Sequence, residues 1–370
     1  MKMKVSFLSV FIFTFFYCSA QKNNDVWPAQ KVNDWYAQQP WLVGANYINS
    51  SAINQLEMWQ AETFDTAQIA KELSWARSIG MNTMRVFLHD LLYKQDPEGF
   101  LKRMEQFLTI AKRNNISILF VLFDSVWDPY PKLDKQPEPK PHVHNSGWVQ
   151  SPGREALEDS TQYQRLEEYV KAVVKRFATD KRIWGWDVWN EPDNTTGTSY
   201  EKVDGPRKIE LVTALLPKVF NWVRSQKPSQ PLTCGVWAGD WRSDEKLKPI
   251  EKIQLENSDV ISFHSYEDEK TFEKRIQFLL RYKRPIICTE YLARGNNSTF
   301  HGSLPLCKKY KVGAINWGLV DGKSQTIYPW DSWERKYTAA PPLWHHDIFR
   351  ADGTPYRKYE VEFIKQLTKK

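Results

Sequence analysis

The chain has 370 residues, enough for one large core, and its 41% hydrophobic and 26% charged residues exclude a long disordered tract. A formal charge of +7 is carried without any basic run longer than a short Lys/Arg pair, so solvated lysines on helix faces account for it and nucleic acid is not an expected partner. The anomaly is aromatic: seventeen tryptophans.

Lys2 and Lys4 precede an apolar stretch from Val5 to Tyr17, and Ser19-Ala20 then lead into polar Gln21 to Asp25. This is the pattern of a secretory leader, residues 1–20, cleaved after Ala20. The apolar run falls short of the roughly 20 residues that span a bilayer, so no membrane span is expected and the mature protein is placed outside the cell or in a periplasm. Lipid attachment at Cys18 is disfavoured by bulky Phe16 and Tyr17 ahead of it. The mature chain keeps Cys234, Cys288 and Cys307, three thiols that make no disulfide scaffold. No Cys/His spacing resembles a zinc site, and the pairs His142/His144 and His345/His346 read as loop contacts, so neither metal nor cofactor is expected.

Residues 21–40 read as a polar lead-in capped by Trp35 and Trp41. Apolar or β-rich runs bounded by turn signals follow at Trp41 to Asn49, Met81 to Leu88, Ile116 to Asp124, Ile183 to Asn190, Pro231 to Trp237, Asp259 to Tyr266, Arg284 to Tyr291 and Val312 to Val320. Helical spacing separates them: Ile69, Leu73 and Ala76 after an Asp65 cap and before Gly80; Tyr163, Leu166, Val170, Val173 and Phe177; Phe272, Ile276, Leu279 and Leu280. Eight nearly continuous apolar strands alternating with amphipathic helices predict an α/β fold, a single-domain (β/α)8 TIM barrel over residues 41–370, with its site at the carboxyl ends of the strands. A doubly wound open sheet fits the alternation too, but no Gly-rich phosphate turn follows the first strand. A monomer is expected. The longest connection, Ser125 to Arg154, holds six prolines, Trp127, Tyr130, Trp148 and two histidines, a composition that favours ordering against a sugar or the barrel rim.

Two carboxylates end apolar strands. Glu191 follows the run Ile183 to Trp189, beside tryptophans and Pro192, in a poorly solvated setting that raises a carboxyl pKa toward general-acid work. Glu290 closes Arg284-Pro-Ile-Ile-Cys-Thr-Glu290-Tyr291 on the opposite side of the same barrel mouth. A glycosidic bond flanked by the two would find one group to protonate the leaving oxygen and another to attack or stabilise the anomeric carbon.

With Trp189-Asn-Glu-Pro192, Phe263-His-Ser-Tyr266, Thr289-Glu-Tyr291 and Asn316-Trp-Gly318 in place, the chain resembles glycoside hydrolase clan A, and within it the family five cellulase-like and mannanase-like enzymes, over about residues 41–366. The resemblance implies that Glu191 is the acid/base and Glu290 the nucleophile. It implies that Asn190 binds the sugar 2-hydroxyl, that Arg85 keeps the nucleophile ionised and that Tyr266 donates to it. It further implies that His264 lines the same subsite and that Trp317 floors it. One departure stands out: family members commonly carry a histidine near the end of strand three, where this chain has Phe123-Asp-Ser-Val-Trp127. Asp124 either binds sugar hydroxyls there or caps the following loop.

Trp127, Trp148, Trp237, Trp241, Trp330, Trp333 and Trp344 all follow strands and are expected at the catalytic face, where aromatic rings accept the flat C–H faces of pyranoses. The expected protein is a secreted retaining β-glycoside hydrolase acting on a polysaccharide or oligosaccharide, endo-acting on a β-1,4-glucan, mannan or xylan. The alternatives are exo action, with the 125–154 loop walling off one end of the cleft, and a non-catalytic carbohydrate-binding barrel.

Overall fold

The computed structural model describes residues 25–195 and 200–369; the leader and Cys18 lie outside them. Eight strands form one parallel sheet: β1 (Val43–Asn46), β2 (Thr83–Phe87), β3 (Ser117–Val121), β4 (Ile183–Asp187), β5 (Leu232–Thr233), β6 (Ile261–His264), β7 (Ile286–Glu290) and β8 (Gly313–Trp317). They are hydrogen-bonded in the order β5-β4-β3-β2-β1-β8-β7-β6. The remaining seam between β5 and β6 closes through Val236, whose N–H donates to the Ser262 carbonyl at 3.1 Å and whose carbonyl accepts from the His264 N–H at 2.9 Å. The result is the (β/α)8 barrel that the apolar runs predict. Each strand is followed by an outer helix, from Thr66–Ser78 after β1 to Lys358–Thr368 after β8.

Local chemistry sets these bounds. Asp65 accepts from the Gln68 N–H and starts the first outer helix; the helix Tyr163–Phe177 buries Leu166, Val170, Val173 and Phe177 on one face, as its spacing demands. The helix Glu269–Leu279 stops before Leu280, which opens a 3-10 turn and is exposed. β5 is shorter than its sequence run because the chain pairs there only at Leu232, Thr233 and the isolated Val236 bridge. A register shift between Phe263 and His264 brings His264 opposite Glu290, the re-aiming that a bulge provides beside a site.

The lower end of the barrel is closed by a helix that the lead-in's polar composition conceals. Ala29–Ala37 buries only Val32 completely, yet with Trp27, Trp35 and Tyr36 it covers a layer formed by Leu42, Leu119, Trp184, Val260, Ile287 and Ile315. The Trp184 indole N–H donates to Thr83 Oγ1 at 2.7 Å, and its ring lies 6.2 Å from that of Trp35. Trp184→Ala should therefore lower stability by about 3–5 kcal/mol, as large buried aromatics do when truncated, read as a lower denaturant midpoint at unchanged slope.

Candidate active site

Arg85, the central residue of β2, is fully buried, and its guanidinium reaches four partners. Nε donates to Asp187 Oδ2 at 2.9 Å, Nη1 to Asn46 Oδ1 and to Glu290 Oε1, both at 2.8 Å, and Nη2 to Asn190 Oδ1 at 2.7 Å. Burial opposes its charge, and the two carboxylates more than restore it, so its pKa lies above the ordinary value. Glu290 has a second donor, Tyr266, whose hydroxyl lies 2.6 Å from Oε2. Burial, with the Glu191 charge adding to it, holds the Glu290 carboxyl above its ordinary value, and Arg85 and Tyr266 pull it only part of the way back.

Glu191 is held differently. It accepts from Asn194 Nδ2 at 2.6 Å and faces His264 Nδ1 at 2.8 Å, with no direct ion pair to lysine or arginine. Burial therefore prevails and raises its pKa to about 7. His264 is pushed down to about 4, again chiefly by burial, so it is a neutral neighbour at pH 7. One oxygen of each glutamate and a ring nitrogen of His264 lie within 4.8 Å of one another. Among the described residues this trio is the group with metal-ligand spacing; its carboxylate oxygens and His264 Nδ1 are engaged in the hydrogen bonds just given, and His264 Nε2 is left without a partner. Glu191 itself has φ +41°, in the left-handed region disfavoured for a side chain of its size, so the strand-end turn and not a rotamer alone delivers its carboxylate into the cleft.

Asp124 ends the β3 segment beneath these groups. Its Oδ1 accepts from Asn190 Nδ2 at 2.9 Å and from the Val126 N–H at 3.1 Å, and its Oδ2 accepts from Trp148 Nε1 at 2.6 Å. It caps the loop and also grips two residues of the cleft. Burial, only partly offset by those bonds, raises its pKa to about 7.

The cleft has a volume of about 280 Å³, and Glu191, Glu290, Asn190, Tyr266, Trp127, Trp148, Trp237 and Trp317 line it. Arg85, His264 and Asp124 stand behind that surface. Trp237 is fixed on the Glu191 side by donating to Asp193 Oδ1 at 2.7 Å. Trp127 stacks on Trp333 at 5.2 Å and 18°. Two tryptophans expected at this face are elsewhere: Trp241 is fully buried, donates to the Ala238 carbonyl and packs against Phe263 and Arg275, and Trp344 stacks on Tyr356. Both follow strands in sequence, but long-range contacts turn them into the protein.

Sequence reasoning passed over His144, Asn145 and Asn194, which also line the cleft, and Lys208 behind it. Asn194 had a signal, three residues beyond Glu191 in the same polar run. Lys208 had none: its buried ammonium bridges the Ser125 and Asn194 carbonyls, both at 2.7 Å, and pairs with Asp204.

Hydrolysis of a glycosidic bond requires a proton donor and an opposed carboxylate in a cleft that accepts sugar faces. This barrel supplies both, and the protein is a glycoside hydrolase acting on O-glycosyl bonds. The model for cellulase (glycosyl hydrolase family 5) matches residues 43–335, and the chain belongs to that family. Similar solved structures include the β-1,4-mannanase of the common sea hare Aplysia kurodai (TM-score 0.54, 16% identity, 76% of this chain and 88% of that one covered). GH5_18 of Streptomyces cattleya, solved with Manβ1-4GlcNAc, superposes with TM-score 0.61 at 13% identity, covering 89% and 80%. An exo-β-1,4-mannosidase of Opitutaceae bacterium strain TAV5 does so with TM-score 0.56 at 17% identity, covering 88% and 59%. Comparison with curated protein sequences returned no match.

Tyr266→Phe removes a donor from Glu290 while leaving the ring in place. The expected result is a fall in kcat/KM of about ten- to a hundredfold, with the acidic limb of its pH profile moved to higher pH, because a carboxylate that loses a hydrogen bond to its charged form is easier to protonate.

Proposed function

We propose that the protein is a secreted retaining β-glycoside hydrolase that cleaves a β-1,4-linked glycan of the mannan type by double displacement. The observation that carries this reading is the approach of one carboxylate oxygen of Glu191 to one of Glu290 within 4.8 Å. Retention is associated with carboxyl groups about 5–5.5 Å apart, whereas inversion needs roughly 6.5–9.5 Å to admit a water between them. Glu191, protonated near neutrality, donates to the departing sugar oxygen; Glu290, steadied by Arg85 and Tyr266, attacks the anomeric carbon; Glu191 then takes the proton of the water that releases the glycosyl-enzyme. The mannan class is supported by the names of the similar structures, which include a β-1,4-mannanase and an exo-β-1,4-mannosidase. No helix among the described residues is long and apolar enough to cross a membrane. Export rests on the leader, and N-terminal sequencing of the exported protein should read from Gln21; an intact Met1 would count against it.

Glu290→Ala should abolish turnover of an aryl β-glycoside, and azide should restore part of it with a glycosyl azide of the opposite anomeric configuration; undiminished turnover without azide would end the assignment. In the unaltered enzyme kcat/KM should fall as pH rises through about 7, where Glu191 loses its proton. Glu191→Gln should remove that limb, and should slow a substrate with a poor leaving group far more than one whose leaving group needs no acid.

A further inference from the structure

The geometry points to chain-end cleavage: a protein wall behind the catalytic pair leaves room for one sugar on the non-reducing side of the scissile bond. This inference rests on the hydrolase reading above. The two glutamates orient the substrate. The leaving oxygen must lie at Glu191, with Asn194 and Trp237 on the same side, so the departing chain runs toward β4 and β5. The attacked sugar must have its anomeric carbon at Glu290 and its ring over Trp317. Its far end then points toward β8, β1 and β2.

That sector is closed. The segment from Asp124 to Ser151 crosses the mouth above β2 and β1 and joins the loop after β8. The Asn145 N–H donates to the Ser324 carbonyl at 2.8 Å, the His144 N–H to Ser332 Oγ at 3.0 Å and the His142 N–H to Gln325 Oε1 at 2.7 Å. From below, Asn54 Nδ2 donates to the Gly147 carbonyl at 2.8 Å and Gln55 Nε2 to the Val149 carbonyl at 2.7 Å. Trp148 stands edge-on to both Phe87 and Trp317. Adjoining the cleft at Asn145, Trp148 and Trp317 is a cavity of about 20 Å³, too small for a sugar, lined by Asn46, Tyr47, Ile48 and Phe87, the residues of β1 and β2 and of the turn after β1 that an open cleft would present to a second sugar.

The wall also has the polarity of a chain-end reader. Asn145 is 2% exposed, and its Oδ1 has no hydrogen-bond partner. His144 Nδ1 lies 2.8 Å from the Tyr328 carbonyl, which can only accept, so the ring proton is there and Nε2 is an acceptor. Burial keeps His144 neutral, with its pKa down to about 3. Two acceptors suit the free hydroxyls of a terminal sugar; at an internal residue one of those oxygens carries the next sugar and has no hydrogen to give.

Mannopentaose, cellopentaose and xylopentaose, each labelled at the reducing end, test this by mass spectrometry of the first products. The expected pattern on whichever is cut is one unlabelled monosaccharide and a labelled chain one sugar shorter. Labelled di- and trisaccharides in the first turnovers would overturn the inference and leave the hydrolase intact. Hydrolysis of none of the three would overturn the glycan reading and this inference with it. Asn145→Gly, which suits the residue's φ of +47°, should raise KM about tenfold with kcat little changed and the same single-sugar product; an unchanged KM would remove Asn145 from the reader.

Discussion

Arg85 brings a positive charge into a space that water does not reach, and β1, β2, β4 and β7 are oriented around it through Asn46, Asp187, Asn190 and Glu290. Taking a guanidinium and two carboxylates out of water is unfavourable, and stripping one partner from such a pair costs about 3–5 kcal/mol, so the arrangement persists only with every donor and acceptor placed. The same placement gives the two glutamates different partners. Glu290 receives an arginine and a phenol; Glu191 receives only neutral groups. Two identical side chains in one cleft thereby sit among different partners, although burial raises both carboxyls.

Loop architecture decides what reaches that pair. Barrel strands end in a ring, and a ring alone would leave the cleft open on both sides. Here the connection after β3 turns through left-handed residues at Trp127, His142 and Asn145 and docks on the loop after β8. Its prolines and aromatics reduce the freedom lost on ordering, and backbone carbonyls and amides make most of the junction. Trp148 and Trp127 line the cleft and, almost wholly buried, also hold this junction together.

Much of this was legible in the chain. Strands buried on both faces read as continuous apolar runs, and a glutamate, arginine or histidine ending such a run has little alternative to the barrel mouth. Residues 29–37 were illegible as a helix because their packing surface is the underside of the barrel, assembled from segments distant in sequence. The left-handed turn at Glu191 leaves no mark in residue type. Asn194 and Lys208 act through hydrogen bonds set by folding, and Trp241 and Trp344 could be told from cleft residues only by their tertiary neighbours. Asp124 shows the limit most clearly: its two weighed roles were ligand and cap, and the structure makes it a cap that also holds Asn190 and Trp148.

That shared carboxylate has an evolutionary implication. One oxygen steadies the Asn190 amide beside the two glutamates, the other steadies the Trp148 indole in the cleft wall, and the two oxygens belong to a single rigid group. A lineage drifting toward larger or branched substrates would have to move Trp148, and in doing so would disturb Asn190. The cleft wall and the ground beside the glutamates are thus inherited together, and reshaping one would call for compensating substitutions around residue 124 before it could be sustained.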